Sequence, residues 1–75
     1  MINGDHIRMA RAALRIGIRE LAKMAKVAPM TISRLETGRS GGYAKTIAKI
    51  QRALEKAGVE FLDGDAPGVR LRKRP

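Results

Sequence analysis

Residues 27–38 read VAPMTISRLETG, and this stretch decides how the chain folds. Pro29 suits the first turn of a helix, where its missing N–H costs nothing, and Gly38 is typical of the position just past a helix end. Ile32 and Leu35 are three residues apart and therefore share one face. The stretch predicts a helix over residues 29–37 that is fixed to the protein from one side. The other side chains face away from the core or along its edge: Pro29, Met30, Thr31, Ser33, Arg34 and Thr37.

A second short helix is predicted directly before this one. Residues 18–25, IRELAKMA, place Ile18, Leu21, Ala22 and Ala25 on one face. The three-residue connection that follows predicts a helix-turn-helix, with the small Ala22 allowing close approach and Val27 filling the inside of the turn. Lys26 would be strained there if its backbone is left-handed, and Ala28 has no side-chain oxygen to cap the next helix.

Two further helices and a pair of strands complete the pattern. Residues 5–15 open on Asp5, a good N-cap, with His6 expected to be exposed nearby. Residues 44–57 place Ile47, Ile50 and Leu54 inward and end at Gly58. The outward positions of this last helix are basic: Lys45, Lys49, Arg52 and Lys56.

The remaining segment, residues 59–72, changes character. The runs VEFL and VRLR flank the turn-rich DGDAPG, which predicts a β-hairpin or two strands that pair with another copy of the chain. We therefore expect a mainly α fold: a compact four-helix bundle with a helix-turn-helix, followed by a short C-terminal β-hairpin or dimer-forming strands.

Charge is the strongest compositional signal. The 75 residues contain 16 Lys and Arg against 7 Asp and Glu, giving a net charge of +9 and a pI near 11.2. A domain this small and basic predicts a polyanion partner, above all nucleic acid, the plainer alternative being a solubilising surface. A membrane-surface peptide fits poorly, because aromatic anchors are nearly absent.

Several classes of function are disfavoured by what the sequence lacks. There is no cysteine and only one histidine, so we expect no metal site. No paired carboxylates and no glycine-rich phosphate loop before a helix are found, so we expect no catalytic residues, no cofactor and no enzyme. MINGDHIRMA lacks the apolar region of a signal peptide, and no apolar run is long enough to span a membrane. The expectation is a soluble, cytoplasmic protein of bacterial or phage origin.

The segment IRELAKMAKVAPMTISRLETG, residues 18–38, resembles the Xre/Cro-like (lambda repressor-like) helix-turn-helix family of phage and bacterial repressor domains. The resemblance rests on the frame L-A…V…T-I-S-R-L-E-x-G and extends from Ile7 to Gly58. In that family the third helix reads operator bases and the protein binds paired half-sites as a dimer. The resemblance thus implies a DNA-binding transcriptional regulator. Residues 1–58 would form the DNA-binding domain, residues 59–72 an extension and candidate dimerisation element, and residues 73–75 a basic tail.

The resemblance assigns roles to individual positions. The groove-facing residues would be Pro29, Met30, Ser33 and Arg34. The DNA backbone contacts would be Arg19, Ala28, Thr31, Thr37, Arg39, Ser40 and Lys45. Arg34 is the strongest candidate for base readout, because a guanidinium can bind guanine O6 and N7 together; its alternative role is a solvent-exposed or phosphate-bound arginine. Met30 could contact a thymine methyl or be a partly buried filler.

The family also often pairs an arginine of the first helix with the glutamate of L-E-x-G. Arg11 and Glu36 occupy these positions, so both are expected to form a structural ion pair.

The chain departs from the family in four places. Ala28 stands where a Ser or Thr cap is common, and Lys26 stands where the turn often has glycine. Gly17 and Ile18 replace the usual Ser-Gln, leaving Arg19 to reach the DNA backbone, and a hairpin takes the place of a fifth helix. The expected dimerisation residues are the apolar ones of the strands: Val59, Phe61, Leu62, Val69 and Leu71. The alternative function is a protein-binding regulator, an antitoxin-like or anti-activator module, that uses these strands to bind a protein partner.

Overall fold

The structure, a computed structural model, describes residues 2–39, 44–62 and 68–72. These ranges contain α1 (Gly4–Leu14), α2 (Ile18–Ala25), α3 (Pro29–Glu36), α4 (Ala44–Lys56), β1 (Val59–Leu62) and β2 (Gly68–Leu71). The two strands form an antiparallel hairpin within the chain, with Val59 opposite Leu71 and Phe61 opposite Val69. The predicted mainly α fold with a C-terminal hairpin is confirmed, and pairing within one chain is the alternative observed.

The six elements form a ring around one core. In the order α3, α2, α4, β1, β2 and α1, each element packs against the next, and α1 packs against α3 to close the ring. The cluster of buried side chains in the middle draws on every helix and on β1: Ile2, Ile7, Ala10, Leu21, Ala22, Ala25, Ile32, Leu35, Ile47, Ile50, Leu54 and Val59. The hairpin and the helices therefore share a single core.

The start of α1 differs from the prediction. The cap is Asn3, not Asp5: the Asn3 Oδ1 accepts hydrogen bonds from the amides of Asp5 at 2.9 Å and His6 at 3.1 Å. In return, the backbone N–H of Asn3 donates to His6 Nδ1 at 3.2 Å. These reciprocal hydrogen bonds form a capping box. Asp5 is the second residue of α1, and its side chain forms a salt bridge with Arg8.

His6 is buried, so the expected exposure of this residue is wrong. Only 6% of it is accessible, and its ring meets that of Phe61 edge to face, with 5.9 Å between centroids. The hairpin therefore covers the start of α1. His6 Nε2 has no hydrogen-bond partner among the described residues.

Two helices end on left-handed residues that are not glycine. Lys26, at the end of α2, has φ 57° and ψ 48°, and Arg15, at the end of α1, has φ 58° and ψ 44°. Lys26 therefore has the left-handed backbone for which the sequence analysis expects strain. In each turn the following amide reaches back into the helix; that of Val27 donates to the carbonyl of Ala22 at 3.0 Å. None of the described helices is long and apolar enough to cross a lipid bilayer.

Candidate nucleic-acid interface

Helix α3 is fixed to the protein along one side only. Ile32 is completely buried, and Leu35 and Glu36 are nearly so. On the opposite side Met30 is 60% exposed and Arg34 is exposed, while Ser33, at the edge, is half-buried. Most of Met30 is therefore accessible, which favours contact with a partner over the role of a partly buried filler.

The beginning of α3 is open to solvent. Ala28 and Pro29 are exposed and Thr31 is half-buried. No side chain caps the helix, as expected for Ala28, and Pro29 occupies the first turn. Pro29 has no N–H and that of Thr31 donates to the Ala28 carbonyl at 3.0 Å, so the Met30 N–H is the donor left at this helix start. It lies at the positive end of the helix dipole, which favours anions such as phosphate.

The end of α3 is locked to α1 by an ion pair. Arg11 Nε donates to Glu36 Oε2 at 2.6 Å, and Arg11 Nη2 donates to Oε1 at 2.7 Å. A third donor, Nη1, binds the carbonyl of Ile16 at 3.2 Å. The hydrogen bonds that Arg11 donates to Glu36 raise the pKa of the guanidinium above its ordinary value, against an opposing effect of desolvation. The expected ion pair is present, and the two charged groups bind each other within the protein.

A close backbone contact holds the same junction. An ideal Cβ on Gly4 would stand 2.0 Å from the carbonyl oxygen of Leu35 and 3.0 Å from Cα of Glu36. Only glycine allows the start of α1 to approach the end of α3 this closely. Sequence reasoning did not identify Gly4, because its role depends on a residue more than thirty positions away.

The cations expected to contact the DNA backbone are accessible to a partner. Arg19 on α2, Arg39 beyond α3 and Lys45 at the start of α4 are all exposed. Ser40, which was expected to contact the DNA backbone, lies outside the described residues. Thr37 is exposed, but its hydroxyl donates to the carbonyls of Ser33 and Arg34, at 3.0 and 3.3 Å. Thr37 would have to rotate before donating to a phosphate.

The expected dimerisation residues divide into three groups. Val59 is 1% exposed and belongs to the core, so its assignment to a dimer surface is wrong. Phe61 and Val69 are half-buried against that core. Leu62 and Leu71 are 40% and 48% exposed and remain accessible to a partner.

The described side chains around α3 offer groups for binding. Among the described residues, no group of three or more His, Cys, Asp or Glu side chains could hold a metal ion. No protein-family model matches the chain, and no curated protein matches it either.

Proposed function

We propose that this protein is a sequence-specific transcriptional regulator that binds double-stranded DNA with α3 in the major groove. One observation carries the proposal: α3 is held from behind by Ile32, Leu35 and the Arg11–Glu36 pair, whereas Met30 and Arg34 project from its free side. A major groove about 12 Å wide admits a helix presented in this way.

The exposed side chains of α3 supply the groups that base reading requires. Arg34 can bind guanine O6 and N7 with two parallel hydrogen bonds, a contact worth about 1–3 kcal/mol of discrimination. Met30 can contact a thymine methyl, and Ser33 can hydrogen-bond to a base edge. Pro29 stands at the start of the helix, where it would lie beside the bases.

Phosphate contacts would come from residues around α3. The net charge of +9 favours association with any duplex, and the exposed Arg19, Arg39 and Lys45 would neutralise phosphates beside the groove. The Met30 N–H, at the uncapped start of α3, would add a neutral donor at the same place. Such contacts position the protein on the duplex without reading its sequence.

We further propose that two copies bind together, through their hairpins, on an operator with two half-sites. The hairpin has two exposed leucines, Leu62 and Leu71, and Leu71 supports this arrangement because it continues the apolar face of the hairpin. A dimer that places one α3 in each of two successive major grooves requires half-sites about 34 Å apart, or a multiple of that distance.

The same leucines also suit the second candidate, a regulator that binds a different protein through its hairpin. The two functions differ in their dependence on salt. DNA affinity should fall by about 0.9 log unit per log unit of salt for each phosphate neutralised, whereas apolar contacts made by a hairpin should not weaken in this way.

The test is in vitro selection of bound oligonucleotides, followed by affinity measurements on the selected site and on single-base variants. Arg34→Ala should relax the preference at one base pair. It should lose about 1–3 kcal/mol of binding free energy on the selected site and little on the duplex in which that base pair is changed. Arg39→Ala and Lys45→Ala serve as controls and should weaken binding to all sequences alike. Equal weakening of every duplex by Arg34→Ala would remove the base-reading role, and failure to select any preferred sequence would remove the proposed function.

A further inference from the structure

The outward side of α4 carries a stripe of four cations, Lys45, Lys49, Arg52 and Lys56, called here the α4 stripe. They follow one another at intervals of four, three and four residues, which places them within an arc of about 60° on a helix that turns about 100° per residue. All four are exposed. The opposite side of α4 is its buried face, formed by Ile47, Ile50 and Leu54.

No described acidic side chain neutralises this stripe. The only acid on α4 is Glu55, which lies to one side of the arc and accepts a hydrogen bond from Gln51 at 3.2 Å. None of the salt bridges among the described residues involves the stripe. Like charges four residues apart destabilise a helix, and a lysine in the first turn opposes the helix dipole. A face that served solubility alone would normally mix both signs.

Apart from Lys45, which is also assigned to the first interface, the α4 stripe is separate from the exposed side of α3. In the ring of elements, α2 packs between α3 and α4. Met24 marks the side of α2 that faces α4, because it lines a shallow groove together with Ala53 and Lys56. Arg19 and Lys23 lie about 100° or more around α2 from Met24, so these cations point away from α4. The rest of the α4 stripe thus forms a second basic surface on a different side of the molecule.

We propose that Lys49, Arg52 and Lys56 of the α4 stripe bind the phosphate backbone of a second segment of double-stranded DNA while α3 and Lys45 hold the first, so that the protein bridges two duplexes. The bridging role rests on the proposed function for its first duplex. Charge complementarity selects the occupant: three long cationic side chains without a described acidic partner, on a convex helix, suit a phosphate strand. From Lys49 to Lys56 the helix rises about 10 Å, close to the axial length of roughly three phosphates on one strand.

The variant for the test is Lys49→Gln/Arg52→Gln/Lys56→Gln. Lys45 is left intact because it is also assigned to the first interface, and glutamine maintains helix formation. The matched control, Arg15→Gln/Lys23→Gln/Lys26→Gln, removes the same charge from exposed positions outside α4 and the hairpin, and none of the three takes part in a described salt bridge. Circular dichroism establishes that both variants fold.

The assay measures capture of a fluorescent duplex by a second duplex fixed to beads, using the selected site and random-sequence DNA. The wild-type protein should capture the fluorescent duplex, the α4 variant should capture at least tenfold less, and the control should stay within about twofold of wild type. Both variants should still bind the selected site alone with its sequence preference. A plot of log capture against log salt should have a shallower slope for the α4 variant. The slope should differ from that of wild type by roughly 2.7 if each of the three cations binds one phosphate.

Equal capture by the α4 variant and the control would overturn the proposal, and it is also the result expected if a homodimer bridges duplexes through its two copies of α3. No capture by the wild-type protein would overturn it as well. Anionic phospholipid vesicles provide a further arm: if the α4 variant loses vesicle binding while duplex capture is unchanged, the stripe belongs to a membrane surface. Failure of oligonucleotide selection would overturn the proposed function alone, because capture on random-sequence DNA still reports on the stripe.

Discussion

At the scale of single residues, Gly4 has no room for a side chain. Replacing it by alanine would place Cβ 2.0 Å from the Leu35 carbonyl, a backbone atom that cannot rotate away. The start of α1 would have to separate from the end of α3, so we expect Gly4→Ala to destabilise the protein by about 3 kcal/mol. Urea denaturation followed by circular dichroism measures this loss.

Gly17 provides the control for that substitution. A Cβ at Gly17 would meet nothing within 4 Å, and its φ of −85° suits any residue. Gly17→Ala should therefore change the free energy of unfolding by less than about 1 kcal/mol. Equal effects of the two substitutions would show that the contact between Gly4 and Leu35 is not tight.

The Arg11–Glu36 pair should respond unequally to removal of its two partners. The Glu36 side chain is 6% exposed and that of Arg11 is 22% exposed. Arg11→Met leaves a buried carboxylate without its cation and should cost about 3–5 kcal/mol. Glu36→Gln leaves an arginine that can still reach water and the Ile16 carbonyl, so it should cost less.

A double-mutant cycle with Arg11→Met/Glu36→Leu measures the coupling, and the double variant should be more stable than Arg11→Met alone. Because the pKa of Arg11 is raised, its contribution to stability is complete at every pH below its ordinary value and is lost only in strong alkali. Equal costs for the two single variants would contradict the burial difference on which the prediction rests.

The residues at this junction also show what a sequence can and cannot reveal. The Arg11–Glu36 pair was predicted because both residues fit a recognised pattern. Gly4 could not be predicted, since the atom it must avoid is brought close only by the fold. His6 was misplaced for the same reason: its burial depends on Phe61, on a strand that folds back across α1.

At the scale of elements, the turn between α2 and α3 contains a strained residue. A side chain in the left-handed region costs about 1–2 kcal/mol, partly offset by the greater chain entropy that glycine loses on folding. We therefore expect Lys26→Gly to stabilise the protein by about 0.5–1 kcal/mol. Thermal denaturation measures the change.

Lys23 is the matched control, because it lies within α2 with ordinary helical backbone. Lys23→Gly should destabilise the protein by about 1 kcal/mol. If Lys26→Gly is also destabilising, the left-handed conformation is not a source of strain, or the lysine side chain makes a contact that offsets it.

Element boundaries were predictable where one signal dominates. The apolar spacing of α4 and the glycine at position 58 defined that helix to within one residue of its observed end at Lys56. At α1 two capping residues compete, and Asn3 prevails over Asp5. Ile2 and Ile7 could have decided the choice, because apolar residues just before the cap and four positions after it form a hydrophobic staple, and both are buried.

At the scale of the whole molecule, the hairpin closes the ring of elements and leaves its two leucines in different settings. Leu71 shares the inward face of the hairpin with Val59, Phe61 and Val69, and it forms the exposed end of that apolar face. Leu62 lies on the other face, which also carries the Glu60–Arg70 ion pair, with 2.9 Å between the charged groups. A homodimer that extends the apolar face would therefore use Leu71 and not Leu62.

We expect the wild-type protein, of 8.2 kDa per chain, to sediment as a dimer at micromolar concentration. Leu71→Asn should weaken the dimer about tenfold or more, because it removes most of an apolar side chain from the interface. Leu62→Asn, the matched control, should change the dissociation constant less than about twofold. Sedimentation equilibrium gives all three values. A monomeric wild-type protein would exclude the paired-half-site arrangement, and a stronger effect of Leu62→Asn would place the interface on the opposite face of the hairpin.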